Sequence, residues 1–203
     1  MKIRNALLSL LVSAPLACGG APKADTAQPE PTPAPAPAPV VKAVKPIPDG
    51  FFAITPQLTV KGVDAAVDFY VKALGATKLY SLPGPDGKTM HAEIKIGDSV
   101  VMVDEEMEGS KSPLTLGGSP ASLMVYNADA DALYAAAVAA GAKVEMPLED
   151  QFWGDRYGSL IDPFGHRWSI AQHIEELTAE QTNERAALMY GPSLAPGKKA
   201  KKP

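Results

Sequence analysis

Cysteine is nearly absent from this chain: Cys18 is the only one in 203 residues. The chain therefore cannot cross-link itself, and no zinc-spaced Cys/His set exists. Histidine occurs three times and aromatics make up 6% of the chain. No nucleophile triad and no glycine-rich phosphate loop can be assembled from the sequence. A basic excess is also missing, with 19 Lys and Arg against 23 Asp and Glu. An acidic body is a poor partner for nucleic acid. The one notable apolar run, "ALLSLLVSAPLA" near the N-terminus, is too short to span a bilayer as a helix.

What is present first is a leader pattern. A short basic start, "MKIR", precedes the apolar run, and a polar Pro-rich segment follows it. This layout predicts a secretory signal peptide over residues 1–17. Removing it takes away Lys2 and Arg4 and no acid, leaving 17 basic against 23 acidic residues, a formal charge of −6. Cys18 in "PLAC" resembles the lipidated cysteine of bacterial lipoproteins, with Pro15 and Leu16 in place of the usual aliphatic and small residues. The resemblance implies a lipid anchor at Cys18 and a place in the cell envelope, on the periplasmic side or the cell surface. The plain alternative is an ordinary signal peptide and a free thiol.

Residues 18–49 read as a linker after that anchor. Alternating Pro and Ala remove every second amide donor, so extended polyproline II is expected. The C-terminal "GKKAKKP" reads as a solvated basic tail.

The folded part is expected over residues 50–173, and it repeats itself. "VDAAVDFYVKALGATKLYSL" and "ADADALYAAAVAAGAKVEMP" each carry a helix pattern ending in Gly-Ala and then a strand. In the first helix Ala66, Val67, Tyr70, Val71 and Leu74 form the expected apolar stripe, and Gly75 and Gly141 mark the helix ends. Strand patterns precede each helix ("FFAITPQLTV", "ASLMVYN") and three follow each. The expected fold is α+β: two βαβββ repeats, with a terminal helix after them. The capping-box pattern Thr178 to Gln181 starts that helix within residues 174–203. Leu188, Met189 and Tyr190 would dock on the domain or on a second copy. Alternation places Ile54, Leu58 and Val60 on the helix-packing face of the first strand, and His166, Trp168 and Ile170 on that face of the last.

The doubled unit, with "AAVDFYVKALG" and "DPFGHRW", resembles the vicinal oxygen chelate superfamily of glyoxalase I, extradiol dioxygenases, fosfomycin-resistance enzymes and bleomycin-binding proteins. The resemblance covers residues 51–173. It implies curved mixed sheets that cup a small-molecule site, a homodimer and, in enzymes, a divalent metal. The positions it assigns to metal ligands hold Thr55, Met102, Ser122 and Ser169 here. Hydroxyls and a thioether suit such an ion poorly, so no metal and no other cofactor is expected.

The expected function is small-molecule binding in a cup lined by Thr55, Gln57, Ser122, Tyr126, Trp153, Arg156, Tyr157, Ser159 and Ser169. The "DQFWGDRYG" segment supplies three of these, with Arg156 as a clamp for a carboxylate or phosphate, or else an internal ion pair. The alternative is a lyase, isomerase or dioxygenase of the same superfamily, metal-free or with an atypical site at His91 and Glu93. In that case His91 is the candidate general base.

Overall fold

A computed structural model of the protein describes residues 44–191. The leader over 1–17, Cys18, most of the linker and the basic tail lie outside the described residues. The first repeat runs β1 (Gln57–Val60), α1 (Val63–Leu74), β2 (Thr77–Pro83), β3 (Thr89–Ile96) and β4 (Ser99–Glu105). A single helical turn, α2 (Pro113–Leu116), leads to the second repeat. That repeat is β5 (Ser122–Tyr126), α3 (Ala130–Ala139), β6 (Lys143–Asp150), β7 (Asp155–Ile161) and β8 (Arg167–His173), with α4 (Ala179–Tyr190) after it. Each repeat makes its own four-stranded sheet, in the orders β1-β4-β3-β2 and β5-β8-β7-β6. In each, the first strand pairs in parallel with the last, and the remaining neighbours are antiparallel. The α+β reading with two βαβββ units and a terminal helix is the observed fold.

Two details differ from expectation. The first strand is shorter than its sequence pattern, because Pro56 has no amide to donate; its carbonyl still accepts from Met102 N at 2.9 Å. Ile54 thus falls outside the strand and is 87% exposed, not packed under a helix. In α1 the buried stripe is Val63, Ala66, Val67, Phe69, Tyr70, Ala73 and Leu74. Val71, at the rim of that stripe, is 42% exposed.

Glu105, at the end of β4, starts α1. Its carboxylate accepts from the backbone of Gly62 (2.9 Å) and Val63 (3.1 Å), supplying the N-terminal acceptor that no local side chain provides. α3 is capped locally, as Asp129 accepts from Ala132 N at 3.0 Å. Gly75 ends α1 at φ 63°. α4 begins with both halves of its capping box, Thr178 and Gln181.

The repeats meet through α1, α3 and the turn between β7 and β8. Asp162 in that turn is buried and accepts four hydrogen bonds. Its Oδ2 takes Tyr70 OH (2.8 Å) and Trp168 Nε1 (2.9 Å). Its Oδ1 takes the backbone of Phe164 (2.9 Å) and His166 (2.8 Å). Around it Phe69, Tyr70, Phe164 and Trp168 pack edge-to-face or tilted, with centroids 5.5–6.2 Å apart. His166 Nε2 donates to the Thr59 carbonyl at 3.0 Å, so this histidine ties the second repeat to β1.

Packing is tight where α3 crosses β7. A Cβ on Gly158 would lie 2.7 Å from the Tyr134 ring and 2.9 Å from the Leu148 Cα. Gly158→Ala is therefore expected to destabilise the domain by about 1–3 kcal/mol through overpacking. The shift of the denaturant midpoint at unchanged slope measures it.

Candidate functional site

Strand alternation gives each sheet one face against the helices and one face free of them. The free face of the first sheet carries Gln57, His91, Glu93, Met102 and Asp104, brought side by side by the β1–β4 and β3–β4 registers. Gln57 Nε2 donates to Asp104 Oδ2 at 2.6 Å, and His91 Nδ1 donates to Asp104 Oδ1 at 2.7 Å. Thr55 lies just before β1, where its hydroxyl donates to the Phe52 carbonyl at 3.0 Å.

The free face of the second sheet carries Ser122, Met124, Tyr126, Asp155, Tyr157, Ser159 and Ser169. Ser169 is buried beneath Tyr157, the two hydroxyls 2.8 Å apart. Ser159 is buried too and donates to Glu145 Oε2 at 3.0 Å, while Arg167 holds the other oxygen of Glu145. At one end of the face Asp155 is 5% exposed and accepts three bonds. Its Oδ2 takes Tyr126 OH (2.9 Å) and Trp153 Nε1 (3.2 Å), and its Oδ1 takes His173 Nδ1 (2.8 Å). Trp153 also meets Tyr157 and Phe152 edge-to-face at 5.7 and 5.0 Å, and Phe152 meets Tyr190 of α4 at 5.7 Å. Leu188 and Met189 stay exposed.

Gly154 lets this corner close. It has φ 95°, and its carbonyl accepts from Ile174 and Glu175, both at 3.0 Å. A Cβ there would strike the Glu175 carbonyl oxygen, so only glycine fits.

Arg156 is not part of this face. It alternates with Asp155 and Tyr157, and its guanidinium binds Asp131 at the start of α3 and Asp150, each at 2.8 Å. The reading of Arg156 as a clamp for an anionic ligand gives way to the internal ion pair. Two carboxylates raise its pKa, Asp131 first.

Among the residues expected to bind, the structure brings together Tyr126, Trp153 and Tyr157, with Ser159 and Ser169 beneath. Ser122 stands exposed on the same face. Gln57 belongs to the other sheet and Thr55 lies just before its first strand, and among the described residues no side-chain hydrogen bond joins the two faces. Asp104, Glu145, Asp155 and His173 centre these networks; of them only Asp155 lies in a singled-out segment, "DQFWGDRYG". Their signal is the period of two: Asp104 follows Met102, and Asp155 precedes Tyr157, on one face.

Among the hollows beside the second sheet, two lie at its opposite ends. One, of about 410 Å³, lies at the Arg167 end under Pro113 and Leu114. The other, of about 380 Å³, lies at the opposite end against Tyr126, Gln172 and His173. The second is shallower, but it touches both Tyr126 and His173, two of the groups that Asp155 holds.

The profile of the glyoxalase/bleomycin resistance protein/dioxygenase superfamily matches residues 52–170. The chain belongs to this superfamily. It is 45% identical over 134 residues to an uncharacterised protein of Mycobacterium bovis, covering 64% of this chain and 88% of the relative. It is 25% identical over 138 residues to protein YjdN of Escherichia coli, covering 58% and 92%. Among solved structures it is similar to protein PA1353 of Pseudomonas aeruginosa, at 27% identity and TM-score 0.51 over 61% of this chain and 99% of that one. An Arabidopsis thaliana gene product matches at 28% identity and TM-score 0.50, over 60% and 98%.

The superfamily resemblance implies metal ligands at Thr55, Met102, Ser122 and Ser169, and that donor set does not fit a divalent ion. Met102, Ser122 and Ser169 do occupy the free faces, but Ser169 is engaged by Tyr157 and none of the three carries an ionisable group. Among the described residues no group of three or more His, Cys, Asp or Glu is placed to hold a metal ion.

The hydrogen bond to Asp155, ahead of the charge of Glu176, raises the His173 pKa above its ordinary 6.5. This contribution to stability is fully present below the unfolded value and is lost as pH rises through the folded one. It is small, because the ring is half-exposed. An NMR titration should find the His173 midpoint above 6.5, and Asp155→Asn should bring it down.

Proposed function

We propose that this superfamily domain binds a small organic molecule on the free face of its second sheet, without chelating a metal. The observation that carries the reading is the Asp155 corner. A buried carboxylate orients Tyr126 and His173 at the hollow of that end and holds Trp153 beside them, and Tyr157 continues the aromatic surface. Aromatic walls with a few fixed polar groups are the usual make-up of a small-molecule site. Holding Tyr126 and Trp153 in place before binding lowers the ordering cost that a ligand must otherwise overcome.

The hollow is open on one side in a single chain. A second copy covering it would enclose the ligand, and we include a homodimer in the proposal. We also include attachment to an envelope membrane through Cys18, with the Pro-Ala segment as the spacer.

A thermal-shift panel of metabolites followed by NMR tests the reading. A true ligand at 100 times its Kd should stabilise the domain by about 2.7 kcal/mol. It should move the resonances of Tyr126, Trp153, Tyr157 and His173, and Trp153→Ala should weaken it at least about tenfold. Binding that leaves those resonances unmoved, or no binding across the panel, contradicts the proposal.

A further inference from the structure

We infer that the free face of the first sheet holds a primary-amine subsite, with His91 Nε2 and Glu93 Oε1 as twin acceptors for one ammonium group. The inference rests on the reading that this domain binds small molecules on a free sheet face, and it extends that reading to the free face of the first sheet.

The argument starts at Asp104. A carboxylate only accepts, so the His91 nitrogen 2.7 Å from Asp104 Oδ1 is the one that carries hydrogen. Gln57 occupies the other carboxylate oxygen and fixes the group from the far side. In the neutral ring the remaining nitrogen, Nε2, then presents a lone pair. It makes no hydrogen bond among the described residues and stands 3.8 Å from Glu93 Oε1. That separation is too long for a hydrogen bond.

Two acceptors 3.8 Å apart can share one nitrogen placed about 2.9 Å from each. An ammonium group offers three N–H donors and satisfies both. A hydroxyl has one hydrogen and satisfies only one, and a carboxylate satisfies neither. Charge selects the same class. Glu93 and Asp104 set two negative charges on this face against the single positive charge of Lys95, which follows Glu93 by two residues on the same strand.

The surroundings suit an aliphatic tail. Leu82 lies opposite His91 in the β2–β3 ladder and is 42% exposed, and the Tyr80 ring sits 6.2 Å from the imidazole. The side chains of His91 and Glu93 are 21% and 24% exposed, so the acceptors are reachable yet partly shielded from water.

The test uses n-hexylamine, n-hexyltrimethylammonium, 1-hexanol and hexanoate with the intact protein at slightly alkaline pH, read by ¹⁵N and ¹H NMR. In the neutral ring the hydrogen should sit on Nδ1. Hexylamine should shift the His91 Nε2 resonance and bind about tenfold more tightly than its trimethylated analogue, which keeps the charge and loses the donors. Glu93→Gln should erase that preference while the amide spectrum stays that of the folded domain. Equal affinity for the two cations, an unaltered preference in Glu93→Gln, or an imidazolium already clamped between Asp104 and Glu93 overturns the inference. If hexylamine fails while hexanol or hexanoate moves Tyr126 and Trp153, the amine subsite is lost and the wider binding reading stands. If no probe moves either face, the amine subsite is lost, and the metabolite panel alone decides the wider reading.

Discussion

The carboxylate of Asp162 is the contact on which the rest of the molecule depends. A buried charge with too few partners is costly, and here every lone pair is used: two backbone amides of its own turn, the indole of Trp168 and the hydroxyl of Tyr70. Each bond has a different consequence. The amide bonds hold the turn that returns β7 into β8. The indole bond fixes Trp168 in the core, and the phenol bond reaches across into α1 of the other repeat. Burial, and then the charge of Asp162, raises the Tyr70 pKa well above its ordinary value, so Tyr70 remains a donor throughout the useful pH range. With the helices and this turn gathered at the centre, both sheets turn one face inward and leave the other uncovered.

The uncovered faces descend from one repeating pattern but are dressed differently. On the first, Asp104 gathers His91 and Gln57, giving a charged surface with little aromatic cover. On the second, Asp155 gathers Tyr126, Trp153 and His173, and Tyr157 lies over Ser169. Both use a partly or fully buried carboxylate to orient neighbours, and each leaves a different chemistry facing solvent. A fold with two such faces can serve many ligands by changing side chains alone, which is why the superfamily match does not by itself name one.

The repeat was legible because a helix ending in Gly-Ala followed by a strand is a local signal, and it occurs twice. The turn at "DPFG" was legible for the same reason. Ile54 was misjudged because alternation knows nothing of the missing amide at Pro56. Val71 was misjudged because a three- and four-residue spacing does not say where the centre of the buried stripe lies. Arg156 shows the larger limit. Its partners Asp131 and Asp150 are 25 and 6 residues away, so whether it met a ligand or its own chain depended on which side of the sheet it stood. The same holds for Asp104 and Asp155, ordinary acids in the sequence that become centres only when strands from distant segments are laid together.

The central claim is that Asp162 joins the two repeats into one cooperative unit through Tyr70. A double-mutant cycle tests it most directly, with denaturant unfolding of the parent protein, Tyr70→Phe, Asp162→Asn and the double variant. Coupling of at least about 1 kcal/mol between the two positions, within a single transition, is the predicted result. Effects that add to within about 0.3 kcal/mol, or separate transitions for the two repeats, would contradict it.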